Sequence, residues 1–338
     1  MALSTAMRVL FLGMSAPFSR TVLDRLLSAG VNVAAALLAG THFRPLAQVQ
    51  GLRSAHIAPG DAQAELPILN PHVPHGGGDK VLDANLTDSD AFTKPTSTVS
   101  PVVATRLSTS EPIEIYECGD IDHPDVTGFM GAMSFDIACV ACWHRKIPAE
   151  VLGIPSFGFL NVHPSLLPAY RGPQPLFWQF RAGETRTGVT VHWMDAGLDT
   201  GDIAARKTVR FADGIRMSEA EAKCASAGGR LLAEVLDALE QGQLERRPQK
   251  GGSFFPTPSL DDFAVDGGWP VRRAFNFVRA AAVYGVPFHI EVGGKRLWFG
   301  DAVAWYPTGE SAPGKDGCVG VHFRDGVLWA RECPGPIM

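Results

Sequence analysis

Two short apolar runs at the start of the chain, residues 7–13 (MRVLFLG) and 31–39 (VNVAAALLA), flank a segment with helical spacing, FSRTVLDRLLSAG, that ends at Gly30. Each run is rich in aliphatic side chains and reads as a buried strand. Strand, helix, strand at this spacing is a βαβ unit, and it obliges the two strands to run parallel. Ser15 and Pro17 are the expected helix N-cap and first-turn proline. The turn GMSAPF lacks the GxGxxG that would cradle a pyrophosphate, so a dinucleotide is not expected there.

The alternation resumes downstream. PIEIYEC reads as a strand, residues 122–133 as a helix and DIACVAC as a strand. A short helix from near Pro148 leads to the strand SFGFLNVH. Beyond a loop, PLFWQFRAG is helical, TGVTVHWMD and GDIAARKTVRF are strands, and RMSEAEAKCASAGGRLLAEVLDALEQG is a long amphipathic helix with a Gly pair inside it. A last module follows, with a helix around PVRRAFNFVRAAA, strands PFHIEV and KRLWFGDAVAW across a Gly-Gly turn, and strands CVGVHF and GVLWARE around Arg324-Asp325-Gly326. The expected fold class is α/β: a Rossmann-like, open, mainly parallel sheet with helices on both faces, plus a small C-terminal β-rich, OB-like barrel. The expected domains are 1–242, carrying a long irregular insertion at about 41–110, a linker 243–265, and the small domain 266–338. A chain of 338 residues has room for both.

Composition narrows the function class. At 46% hydrophobic and 19% charged the chain can build a sizeable core, and its net charge of −5 gives no global pull toward nucleic acid. No apolar run approaches the roughly 18 residues needed to cross a membrane, and a cytoplasmic protein is expected. Cys139 and Cys142 form a CxxC inside an apolar strand with no second pair to complete a zinc site. Core cysteines, and no metal, are the expectation. His72 and His75, in the insertion, read as solvated loop histidines.

Chemistry concentrates in NVHPSLLPAYRGPQP. Strand residues two apart point the same way, so Asn161 and His163 share one face at the carboxyl end of a strand that Pro164 then stops. A second loop, Ala196-Gly197-Leu198-Asp199-Thr200-Gly201, sets a carboxylate between glycines that permit close backbone approach. Asp199 beside His163 would favour the imidazolium and orient it, while Asn161 offers a donor to an oxyanion. Taken singly, the three are an ordinary turn cap, core histidine and turn former. Ser165 adjoins His163 but carries no nucleophile motif, so an external nucleophile, a substrate amine or water, is the simpler reading.

NVHPSLLPAYRG followed by TGVTVHWMDAGLDTG resembles the hallmark pair of the folate-dependent formyltransferase family, strongly over residues 136–201. The domain order is similar to that of its methionyl-tRNA formyltransferases. The resemblance implies 10-formyltetrahydrofolate as formyl donor and Asn161, His163 and Asp199 as catalytic residues, with the imidazole protonated. It places the pterin between the backbones of WHRKIP and MDAGLD, with Arg145, Ile147, Asp195 and Ala196 there. Arg171 reads equally as a contact for an anionic substrate or a surface arginine, and His192 as a strand residue facing a neighbour. The acceptor stays open between initiator methionyl-tRNA and a small amine such as an amino sugar nucleotide or a biosynthetic amino acid. With water as nucleophile, the same residues would make a hydrolase. Residues 41–110 hold five Lys/Arg against six Asp/Glu, the wrong balance for phosphate binding. Arg272, Arg273, Arg279, Lys295 and Arg296 form either one basic face or scattered solvated charges.

Overall fold

A computed structural model describes residues 6–39, 102–103, 113–310, 314 and 316–335. His72 and His75, and the insertion apart from 102–103, lie outside the described residues. In chain order the elements are β1 (Val9–Met14), α1 (Pro17–Ser28), β2 (Val33–Ala39), β3 (Val102–Val103), β4 (Glu114–Cys118), α2 (Pro124–Met133), β5 (Ile137–Ala141), α3 (Ala149–Leu152) and β6 (Phe159–His163). There follow α4 (Pro175–Ala182), β7 (Arg186–Trp193), β8 (Ile203–Arg210), α5 (Met217–Glu240), α6 (Val271–Ala281), β9 (Phe288–Val292), β10 (Lys295–Pro307), β11 (Cys318–Phe323) and β12 (Gly326–Glu332).

The first eight strands form one sheet in the order β3-β4-β2-β1-β5-β6-β7-β8. Strands β4, β2, β1, β5 and β6 run parallel, whereas β7 is antiparallel to β6, β8 to β7 and β3 to β4. Alternate residues of β1 separate into two cores. Val9 and Phe11 pack with α1 and α5, and Leu10 and Leu12 with α2 and α3. Burial on both faces is why the strand reads as a continuous apolar run rather than an alternating one.

Helix α1 buries Phe18, Val22 and Leu26, one stripe at four-residue spacing. Its N-cap is Ala16, not Ser15, and no side chain caps it. Ser19 one turn in takes the Met14 N–H and donates to the Ala141 carbonyl, joining the ends of β1 and β5. The Gly pair in α5 has a packing reason. A Cβ on Gly228 would fall 2.4 Å from Val162 Cγ1, and one on Gly229 would fall 2.6 Å from Arg25 Cβ. Only hydrogen at these positions lets α5 lie flat on β6 and α1, at a helix-propensity cost of about 1 kcal/mol each. Cys139 is buried as expected, but Cys142, just past the end of β5, is exposed.

The second sheet is antiparallel, ordered β11-β12-β10-β9, and forms a half-barrel. Gly293 and Gly294, both at positive φ (58° and 75°), make the tight turn between β9 and β10. Register shifts in β10 against β12 let that long strand bend. An aromatic cluster joins the two sheets' helices: the Phe177 ring of α4 lies 5.1 Å from Phe263 and 5.3 Å from Phe277 of α6. The arginines considered as one basic face are engaged with the protein. Arg272 pairs with Asp213 at 2.8 Å, and Arg273 donates to the Arg181 carbonyl at 2.6 Å. Arg279 donates to the Gly214 carbonyl, and Arg296 pairs with Glu291. Among the described residues no helix is long and apolar enough to cross a membrane.

Candidate active site

The site is built on the face of β6 opposite α5. Val162 points into the core under α5, so its neighbours Asn161 and His163 must point to the other face. His192 stands directly across from Asn161 in the β6–β7 pairing and therefore shares that face. His163 is 4% exposed, His192 1% and Asp199 9%, so the three titratable groups meet almost out of solvent.

Asp199 arrives on the loop between β7 and β8. Asp195 shapes the loop, its Oδ1 accepting the Gly197 N–H at 3.0 Å and the Thr200 hydroxyl at 2.7 Å. A Cβ on Gly201 would meet the Trp193 carbonyl at 2.0 Å, so the loop closes against β7 only with glycine there. Asp199 itself sits in the left-handed region, φ 56°. Such backbone in a non-glycine residue persists only when its surroundings hold it.

The Asp199 carboxylate is the hub. Oδ2 accepts the Gly172 N–H at 2.9 Å and lies 3.6 Å from His163 Nδ1. Oδ1 lies 3.4 Å from Asn161 Nδ2 and 3.6 Å from His192 Nε2. Asn161 Nδ2 is also 3.2 Å from His192 Nε2, whose ring is oriented by Nδ1 donating to the Trp193 carbonyl at 2.7 Å. His163 Nε2 donates to the Tyr170 carbonyl at 2.8 Å, an assignment of the proton that the carbonyl partner requires. Nδ1, toward Asp199, is then the nitrogen free to gain or lose one.

Burial raises the Asp199 carboxyl, but the adjacent His163 and His192 and the Gly172 N–H outweigh it and hold its pKa at about 2. For His163 the balance goes the other way. Burial lowers its pKa below the ordinary value, and the Asp199 charge and the Tyr170 carbonyl only partly offset this. The expected resting imidazolium is thus corrected: Asp199 pulls in that direction, and desolvation is larger.

The remaining sequence candidates are placed as follows. Arg145 is exposed and bonded to Asp120. Ile147 is 2% exposed, in the core that α3 also packs on. Ala196 is exposed, and the Asp195 carboxylate serves its own loop. Trp143 and Met194 pack on the same core, which puts the loops around 143–148 and 194–199 on one face of the sheet. Trp143 Nε1 is buried there with no hydrogen-bond partner. Arg171 gives Nε and a terminal nitrogen to Gln249 Oε1, at 3.0 and 2.7 Å. Ser165 Oγ donates to the Ala169 carbonyl and is fully buried. Sequence reading kept His192 as a residue facing a neighbour. That neighbour is Asn161, a pairing that only the strand register reveals. Gly172 and the Tyr170 carbonyl had no signal beyond lying in the same proline-punctuated loop.

The profile of the formyl transferase family matches residues 84–236. The methionyl-tRNA formyltransferase of Acetivibrio thermocellus is 33% identical over 189 residues, 55% of this chain and 61% of that one. The methionyl-tRNA formyltransferase of Clostridioides difficile is 30% identical over 210 residues, 59% of this chain and 67% of the relative. The chain spans 61%, 54% and 62% of the length of three such relatives. In fold, a variant of HypX from Aquifex aeolicus superposes at a TM-score of 0.54 and 20% identity, over 96% of this chain and 45% of that one.

Proposed function

The chain belongs to the formyltransferase family, and from that premise we propose that it transfers a formyl group from 10-formyltetrahydrofolate to a primary amine through Asn161, His163 and Asp199. The observation that carries the reading is the convergence of these three side chains on one buried face, His163 Nδ1 3.6 Å and Asn161 Nδ2 3.4 Å from a carboxylate held ionised. The loops at 143–148 and 194–199, on one face of the sheet, suit the pterin.

The donor supplies an activated formyl carbon. His163, neutral at rest, takes the acceptor amine's proton at Nδ1 as the amine attacks that carbon. Asp199 stabilises the imidazolium so formed, and the same proton then passes to the departing folate nitrogen. Asn161 releases the longer of its two contacts, the one to Asp199, and donates instead to the oxygen that gathers negative charge.

For the acceptor, the named relatives favour methionyl-tRNA. A second reading, a small amine, is favoured by the engagement of Arg272, Arg273, Arg279 and Arg296 in protein contacts, which leaves them poorly placed to bind phosphates. The experiment is a formyl-transfer assay on charged initiator tRNA and a panel of small amines, with His163→Ala and Asp199→Ala alongside. Transfer by the wild type and loss in both variants, with folding intact, is expected. Undiminished turnover in either variant would sink the mechanism, and the acceptor that turns over decides between the readings.

A further inference from the structure

Chain beyond the matched family segment reaches the site. Arg247 bridges to Ile203 at the start of β8, and Phe254 bridges to Arg171 in the loop after β6. Between these anchor points, Ser253 accepts the Arg171 N–H through its carbonyl and the Tyr170 N–H through its hydroxyl, both at 2.9 Å. Residues 247–255 thus lie as a strap across two loops that both serve the site.

Gln249 is the one side chain of this strap that reaches both loops. Its Nε2 donates to the Asp199 carbonyl at 2.9 Å and to the Gly201 carbonyl at 2.7 Å. Its Oε1 accepts two hydrogen bonds from Arg171. Arg171 stands between Tyr170, whose carbonyl takes the His163 Nε2 proton, and Gly172, whose N–H goes to Asp199 Oδ2. A single amide therefore fixes the backbone of Asp199 relative to the two groups that orient His163 and the Asp199 carboxylate. Only an amide of this length supplies two donors and an acceptor at once. The need for such a restraint is visible in the left-handed backbone of Asp199.

We propose that Gln249, acting with Arg171, is a positioning residue that holds the Asp199 loop in its working geometry. The proposal rests on the formyl-transfer reading for its kinetic arm only. Gln249→Met keeps the shape and removes both donors and the acceptor. Gln249→Glu keeps the Arg171 partner and removes the donors, and it carries the kinetic decision should the Met variant fail to fold. In either variant kcat is expected to fall roughly 10- to 100-fold with the donor KM little changed, as when a reacting group is displaced by about an ångström.

A second arm reads the His163 ring by NMR titration in wild type and Gln249→Met, assigned by its loss in His163→Ala. The charged and titratable groups facing that ring are Asp199 and His192, with the Tyr170 carbonyl at Nε2. Loosening Asp199 removes the group that raises the His163 pKa, so the titration should move to lower pH. An unmoved titration with wild-type kcat in a folded Gln249→Met overturns the proposal. A wild type that transfers no formyl group refutes the functional reading instead, and the titration still decides the role of Gln249.

Discussion

Replacing glycine with alanine inside a helix has opposite outcomes at two places in this protein. Gly128 in α2 is exposed, and a Cβ added there meets nothing within 4 Å. Gly128→Ala is expected to stabilise by about 1 kcal/mol, the helix-propensity difference alone. At Gly228 in α5 the same Cβ would lie 2.4 Å from Val162 Cγ1, against an ordinary carbon contact of about 3.5–4.0 Å. Relief requires α5 and β6 to separate by about 1 Å or Val162 to leave its rotamer, an overpacking cost of roughly 1–3 kcal/mol. Subtracting the propensity gain of about 1 kcal/mol leaves Gly228→Ala destabilised by roughly 0–2 kcal/mol, so the two variants should differ by about 1–3 kcal/mol. Urea unfolding at unchanged m measures both. Val162 lies between Asn161 and His163, so Gly228→Ala should also lower kcat, and Gly128→Ala should not. Equal stabilisation by both substitutions would refute the packing reason given for the glycine pair.

Asp199→Asn tests the electrostatics of the hub. With the folded pKa near 2 against the usual 3.8, the ionised carboxylate contributes at most about 2 kcal/mol. That contribution is present in full above the unfolded value and is lost as pH falls toward 2. Because Asp199 is the charge that raises the His163 pKa, the His163 ring in Asp199→Asn should titrate at lower pH than in wild type, read by NMR; an unmoved titration would contradict the assignment. Gly172→Ala places a Cβ 2.0 Å from the Phe255 carbonyl at φ 113°. It is expected to lower stability by at least about 2 kcal/mol and to abolish transfer, checked by thermal melting and single-turnover kinetics.

The parallel sheet was legible because β1, α1 and β2 carry both periodicities and the crossover length in one continuous stretch. Asn161 and His163 were legible for the same reason, since alternation along one strand needs no tertiary information. Relations across the fold were not. That His192 faces Asn161 depends on a register that nothing in either strand states. Gln249 is fifty residues from Asp199, in a segment whose composition reads as linker. The sign of the Asp199 effect on His163 followed from charge. The larger opposing effect, desolvation, depends on how the fold buries the ring, and no residue type announces that. Arg171 and the arginines of α6 show the same limit, because sequence supplies the charge and tertiary structure decides what it meets.

The place where the insertion enters the sheet matters for how this chain tolerates change. Strands β2 and β4 are neighbours although residues 40–113 separate them, and in the sheet order β6 lies three strands beyond β2, past β1 and β5. Loop-closure entropy grows only with the logarithm of length, about 0.6 kcal/mol per doubling, so the length of a connection between neighbouring strands is a weak constraint on a sheet. A lineage can lengthen, shorten or recompose that connection at small thermodynamic cost and without disturbing the strands that carry His163 and His192. The fold thereby sets the connection between β2 and β4 apart from the face of β6 and β7 that carries Asn161, His163 and His192.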